Sequence, residues 1–181
     1  MIYICLLRGI NVGGNKRIKM ADLRELLGTI GIQGAKTILQ SGNVVFKSDE
    51  TNQNILITMI ETAIQAHYNF EVKVMLRTAE EWQARIDSKP DYTIEVAGNR
   101  LLLACLDAVP TPENISALKA SAKDEIIHLL DTDMYIYYPN GMSKSKLGNP
   151  TLERKLKVTS TARNWNTVLK LQALVEGFTT I

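Results

Sequence analysis

The six residues IYICLL (2–7) are apolar without interruption, the mark of a strand buried on both faces. The segments downstream of this strand leave few folds open. After a glycine-rich loop, MADLRELLGTIG places Met20, Leu23, Leu26, Leu27 and Ile30 at helical spacing, and Gly31 is a stop signal. AKTILQ and NVVFKS are strand-forming runs separated by Ser41-Gly42, which spells a hairpin. NQNILITMIETAIQAHY sets Ile55, Met59, Ile60, Ala63, Ile64 and His67 on one helical face, and FEVKVMLR alternates as a half-buried strand. The order is β-α-β-β-α-β, the ferredoxin-like split βαβ pattern, closing near residue 77.

The rest of the chain runs similarly. TAEEWQARI opens on a threonine cap with an acidic first turn, a linking helix. RLLLACLD reads as a strand, TPENISALKASA as a helix with Pro112 near its start, and EIIHLL with MYIYY as a hairpin turning at DTD. Two helices are expected over 150–157 and 161–176. The fold class is therefore α+β: a ferredoxin-like βαββαβ unit over 1–77, followed by a second α+β unit of similar element order over 78–181. Cys5 and Cys105 fall at similar depth in the first strand of each half. Both sit in apolar runs and read as core residues rather than a disulfide, and neither belongs to a CxxC or Cys/His cluster.

This topology fixes where the glycine loop must lie. The first two strands run parallel through their helical crossover, and the third lies antiparallel between them. The end of the first strand and the hairpin before the third then share one end of the sheet. Arg8, Asn11, Gly13, Gly14, Lys16 and Arg17 come to face Gln40, Ser41, Gly42 and Asn43. Glycines let consecutive N–H groups turn inward, and the next helix adds its positive end, so the chemistry suits phosphate or carboxylate. The same residues also make a plain tight turn. The loop has neither the GxGxxG spacing of a dinucleotide fingerprint nor the GK[ST] ending of a P-loop. At the matching place in the second half stand Asp107, Asp131 and Asp133, a set that would suit Mg²⁺, but Asp is equally a turn residue and no metal site is expected.

Composition narrows the classes. With 45 % hydrophobic and 22 % charged residues the 181-residue chain is an ordinary globular one. Its apolar runs of six fall far below the roughly 18 to 20 residues that span a bilayer, no charged-then-apolar leader precedes the first strand, and the cytoplasm is the expected location, with no membrane partner. The net charge of +2 conceals basic ends: residues 1–47 carry +5, 48–141 carry −8 and 142–181 carry +5. Such ends on one surface would attract a polyanion.

GMSKSKLGNP (141–150) has the look of the mobile lysine loop of class I aminoacyl-tRNA synthetases. The HxGH-type signature and the large parallel sheet of that fold are missing, so only the phosphate-binding chemistry of Ser143, Lys144, Ser145 and Lys146 is kept. TSTARNWNTVLKLQALV starts on hydroxyl caps and aligns Trp165, Val168, Leu171 and Val175 on one face, with Trp165 as core and Arg163 and Asn164 as a ligand-facing pair near the helix start. His67 and His128 lie in apolar segments and read as structural, and no Ser/His/Asp or Cys/His set is present.

LLRGINVGG succeeded by M..L...L...G, then QSGNVVF, YYPNG...SKL, LER.L and T.RNW.TV.KL resemble a bacterial family of uncharacterised proteins, domain-of-unknown-function family 1697. The resemblance implies ferredoxin-like α+β units and carries no activity. Its motif residues correspond to Arg8, Gly9, Asn11, Gly13, Gly14, Gln40, Ser41, Gly42, Asn43, Ser145, Lys146, Leu147, Glu153, Arg154, Arg163, Asn164 and Trp165.

The leading functional reading is a binding protein for a phosphate-bearing ligand, nucleotide or nucleic acid, at the 8–17 and 40–43 sheet edge. Arg8, Asn11, Gly13, Gly14, Gln40, Ser41 and Asn43 would act with the basic C-terminal residues Lys146, Arg154, Arg163 and Asn164. No cofactor is expected. Two alternatives stay open: an enzyme acting on a small phosphorylated or carboxylated substrate, with Glu153 the one acid inside a family block, and a non-catalytic interaction protein.

Overall fold

A computed structural model describes residues 1–92 and 96–179. The chain divides into two compact units, one of Met1–Ala84 together with the segment from Lys170 onward, the other of Arg85–Leu169. The division read from the sequence, 1–77 and 78–181, groups these segments differently. The chain's return explains it: Lys36 and Lys47 hold their ammonium groups over the Phe178 ring at 4.3 and 5.8 Å from its centroid, and Gln172 Nε2 donates to Gln83 Oε1 at 2.7 Å.

The first unit has the expected order: β1 (Ile2–Leu7), α1 (Met20–Thr29), β2 (Lys36–Ile38), β3 (Asn43–Lys47), α2 (Gln53–Tyr68) and β4 (Val74–Thr78). Its sheet runs β2-β3-β1-β4, with every neighbour antiparallel, so β3 does lie between β1 and β2. Tyr3 through Leu7 are buried on both faces, as the unbroken apolar run requires. Tyr3, Cys5 and Leu7 join Leu23 and Leu27 of α1 and Leu56, Ile60 and Ile64 of α2 in one core. Each such side chain contributes about 1.5–3 kcal/mol on burial.

Helix α2 departs from the expected face. Leu56, Ile60 and Ile64 are its buried row, whereas Ile55, Met59 and His67 are exposed. Both rows are apolar, so periodicity cannot choose between them. The choice falls to the start of the helix, where Asn52 accepts from the N–H groups of Asn54 and Ile55. From β4, α3 (Ala79–Asp87) starts on a reciprocal box in which Glu81 N donates to Thr78 Oγ1 at 3.1 Å and Thr78 N to Glu81 Oε2 at 2.7 Å.

The second unit contains β5 (Leu101–Leu106), α4 (Pro112–Lys119), β6 (Ile126–Leu130), β7 (Asp133–Tyr137), a short 3-10 turn (Met142–Lys144), α5 (Asn149–Leu156) and β8 (Ser160–Asn164), then the start of α6 (Trp165–Thr179). Its sheet, β6-β7-β5-β8, repeats the first in order and antiparallel pairing. Residues 161–164, expected in a helix, are therefore strand, and this completes a second βαββαβ unit. The hydroxyl residues that look like helix caps instead serve the sheet edge. Ser160 is fully buried, donates from Oγ to Asn149 Oδ1 at 2.8 Å and from N to Glu153 Oε1 at 2.8 Å. The helix begins only at Trp165, where Asn164 Oδ1 accepts from Thr167 N and Thr167 Oγ1, each at 3.0 Å.

The two registers can be superposed residue for residue. Leu7 N donates to Gly42 O and Leu106 N to Thr132 O, both at 2.8 Å, while Arg8 N donates to Lys73 O at 2.9 Å and Asp107 N to Thr159 O at 3.1 Å. Leu7 thus matches Leu106, and Asn43 matches Asp133. The cysteines do not match: Cys5 corresponds to Ala104, and Cys105 to Leu6. A shift of one residue puts them on opposite faces of their sheets, and both are buried.

Candidate functional site

The segment between β1 and α1 is organised by one side chain. Asn11, at φ 56, donates from Nδ2 to Ile18 O at 2.9 Å and Gln40 O at 2.6 Å, and its Oδ1 accepts from Ile18 N at 2.9 Å. Beyond it the chain makes a miniature hairpin. Asn11 N donates to Lys16 O, Val12 pairs with Asn15, and Asn15 N donates to Val12 O at 3.2 Å. Gly13 (φ 61) and Gly14 (φ 80) are the two central residues of this turn, and positive φ at both is the type I′ requirement. The glycine pair thus serves a tight turn. Asn11 is spent on bracing the loop against the 40–43 hairpin.

That hairpin is built just as closely. Gly42 has φ +75, and a Cβ there would lie 2.7 Å from Leu7 Cβ and 2.9 Å from Ile10 Cδ1, so only glycine fits. Asn43 is fully buried and donates to Ile38 O at 3.0 Å and Ser41 Oγ at 2.9 Å. Arg8 is half-buried. The sequence-predicted residues of the first unit, Arg8, Asn11, Gly13, Gly14, Gln40, Ser41 and Asn43, therefore do gather at one end of the sheet, but several of them hold the edge together.

Alongside lies an open groove of ≈ 580 Å³ lined by Gly14, Arg17, Lys19, Asp22, Gln40 and Tyr68, among others. Arg17 and Lys19 are exposed and form no ion pair among the described residues. Lys19 is also the N-cap residue of α1 and supplies no side-chain cap, which leaves the first-turn N–H groups to solvent. The Tyr68 hydroxyl is buried without a hydrogen-bond partner. Burial, and then the Asp22 carboxylate, push its pKa above the usual phenol value, so it stays a neutral donor at physiological pH. Lys19 and Tyr68 escaped sequence reasoning: Lys19 looks like a plain solvated charge, and only packing brings the end of α2 to the start of α1.

The basic C-terminal candidates separate. Arg163 is the penultimate residue of β8, 8 % exposed, with Nη1 donating to Thr161 Oγ1 at 2.8 Å and Ala162 O at 2.9 Å. A strand, not a helix start, carries the guanidinium, and Asn164 caps the helix that follows. Arg154 is exposed in the last turn of α5. Lys146 lines a cavity of ≈ 110 Å³ within the second unit. Trp165 is buried as expected. Glu153 is tied to Ser160 N, so the one acid in a family block is occupied.

The three aspartates also have other work. Asp107 Oδ1 accepts from Thr159 N at 2.8 Å, Asp133 Oδ2 from Arg85 Nε at 2.7 Å, and Asp131 lies 3.6 Å from Arg85 Nη2. Among the described residues no group of three or more His, Cys, Asp or Glu side chains is placed to hold a metal ion. His67 and His128 are exposed, edge-on to Tyr68 and Tyr92 at 4.6 and 6.1 Å. Among the described residues no helix is long and apolar enough to cross a membrane.

The chain belongs to the family described as "Protein of unknown function (DUF1697)", whose sequence profile matches residues 1–135. In fold it is similar to the conserved bacterial protein SP0830 from Streptococcus pneumoniae, with a TM-score of 0.75 and 23 % sequence identity over 95 % of this chain and 97 % of that one. None of the curated proteins matches it.

Proposed function

We propose that the first unit binds a phosphate-bearing ligand of nucleotide size in the groove at the start of α1. The observation that carries this reading is the coincidence of two unpaired cations, Arg17 and Lys19, with a helix N-terminus that no side chain caps. Phosphate oxygens complete both the charge and the missing acceptors. Tyr68 lines the wall of the same groove. Its ≈ 580 Å³ lies within the range of about 300–1,000 Å³ common for small-molecule sites. Asp22, in the first turn, offsets one cation and favours a ligand that also offers hydrogen-bond donors, as a ribose or base does.

A nucleotide fits better than a nucleic acid strand. The sheet offers no row of exposed aromatics on which bases would stack, since Tyr3 and Phe46 are fully buried. The test is a thermal-shift series with mono-, di- and triphosphate nucleosides at low and high salt, on the wild type and on Arg17→Ala/Lys19→Ala. A saturable rise in melting temperature that the double variant loses is the expected result. A rise that survives it, or none for any nucleotide at low salt, sinks the proposal.

A further inference from the structure

The small cavity of the second unit has a polar wall that is internally complete and a rim of cations that is not. Glu125 accepts from Ser145 Oγ at Oε1 and from Lys123 N at Oε2, 2.8 Å away. Asp124 accepts from Asn140 Nδ2 at 2.9 Å. Ser145 Oγ in turn accepts from Leu147 N at 2.9 Å, and the Tyr138 hydroxyl donates to Leu147 O at 2.7 Å. Burial works to raise the Glu125 pKa, but donation from Ser145 and from the backbone of residues 123–125 outweighs it, and the carboxylate stays below its usual range. A carboxylate so held is a poor proton acceptor at neutral pH, so Ser145 is not an activated nucleophile.

Around this wall stand Lys123, Lys144 and Lys146, all exposed and all lining the cavity. None forms an ion pair among the described residues. The two acids present are satisfied by neutral donors, so they do not draw the ammonium groups in. Three positive charges against two negative ones leave an excess at the mouth of the cavity, on a fixed frame in which Gly141 (φ 84) and the 3-10 turn set the course of the lysine segment.

We propose that this cavity binds a single tetrahedral oxyanion, inorganic phosphate or a terminal phosphate monoester, through Lys123, Lys144 and Lys146. Size sets the limit. At ≈ 110 Å³ the cavity falls well below the about 300–1,000 Å³ of sites that enclose a drug-sized ligand, and suits a small oxyanion. The Ser121 hydroxyl at the same wall is spent on Leu118 O at 2.7 Å and the Asn140 amide on Asp124, so the three ammonium groups are the donors a ligand meets. This site is independent of the groove in the first unit.

The probe is sodium phosphate, titrated into the full chain against sodium chloride of matched ionic strength and monitored by amide chemical shifts. Saturable shifts are expected at residues 123–125 and 141–147. They should weaken by at least about ten-fold per lost charge-assisted contact, so about a hundred-fold, in Lys144→Ala/Lys146→Ala and persist in Arg17→Ala/Lys19→Ala. Because both lysines are exposed, the variant should fold; Lys144→Arg/Lys146→Arg, which keeps the charge, should retain binding. No saturable shift at those amides, or an equal affinity in the alanine variant, overturns the assignment. Neither outcome touches the nucleotide reading, whose shifts fall at residues 14–22.

Discussion

The two units have the same sheet topology, each in a sheet of its own, and differ at the sheet's edge. Between β1 and α1 the first unit spends residues 8–19, whereas the second passes from β5 to α4 in residues 107–111. The longer passage holds a glycine turn, two unpaired cations and a groove. The shorter one is closed by Asp107, whose carboxylate takes the N–H of Thr159. At the next matched position the contrast is one of charge: Asn43 is neutral and bonds to nearby backbone and hydroxyl, whereas Asp133 needs Arg85. A common topology therefore leaves each unit free to invest its end loops differently, and any site must be argued from those loops and not from the sheet.

The sharpest way to break this contrast is Arg85→Ala. It removes the guanidinium from beside the fully buried Asp133 carboxylate and the exposed Asp131, and should cost about 3–5 kcal/mol, read as a lower urea midpoint. Asn43→Ala, at the matched place, strands no charge and should cost about 1–3 kcal/mol. An equal loss in the two would show that the difference in charge is immaterial.

Gly42→Ala comes next, at about 2–4 kcal/mol from positive φ plus overpacking against Leu7 and Ile10. Gly13→Ala has the same backbone sign but open space around it, and should cost only about 1–2 kcal/mol. The counterpart of Gly42, Thr132, already carries a Cβ, because the left-handed residue in that turn is Asp131 at φ 52.

Alkaline titration separates the units in another way. Burial first of all pushes Tyr92 and Tyr135 up to about 12 in the folded second unit, while the unfolded chain ionises near 10. The stability they lend is whole below pH 10 and is lost as pH climbs through about 12, because the unfolded state releases its protons first. Urea midpoints near pH 9 and near pH 11, with tyrosinate absorbance as the monitor, should therefore drop; Tyr135→Phe should flatten that drop. The smallest effect belongs to Arg17→Ala/Lys19→Ala, within about 0.5 kcal/mol of wild type. A larger loss would assign these cations to the architecture and not to a ligand.

Most of the first unit was legible because its strands and helices differ in period and its turns carry Gly. Strand β8 was not, since Ser160, Thr161 and Asn164 are residues that helix starts and sheet edges both favour. The end of the sheet that carries the groove could be placed from topology. Which residues line the groove could not: Asn11 and Asn43 have the side chains of ligand-binding residues, yet their amides are consumed by backbone groups. A sequence records what an amide can bond to, but not where the nearest unpaired carbonyl lies.

The bracing of Asn11 has a consequence for how this surface can vary. Its side chain offers a donor and an acceptor to Ile18 as a peptide group would, so the sheet is sealed at that point and the exposed tip from Val12 to Asn15 hangs outside the seal, while Lys16 is tied to Glu71 O at 2.7 Å. That hairpin is a detachable cassette. Its length and chemistry can be exchanged, by evolution or by engineering, without reopening the core beneath it.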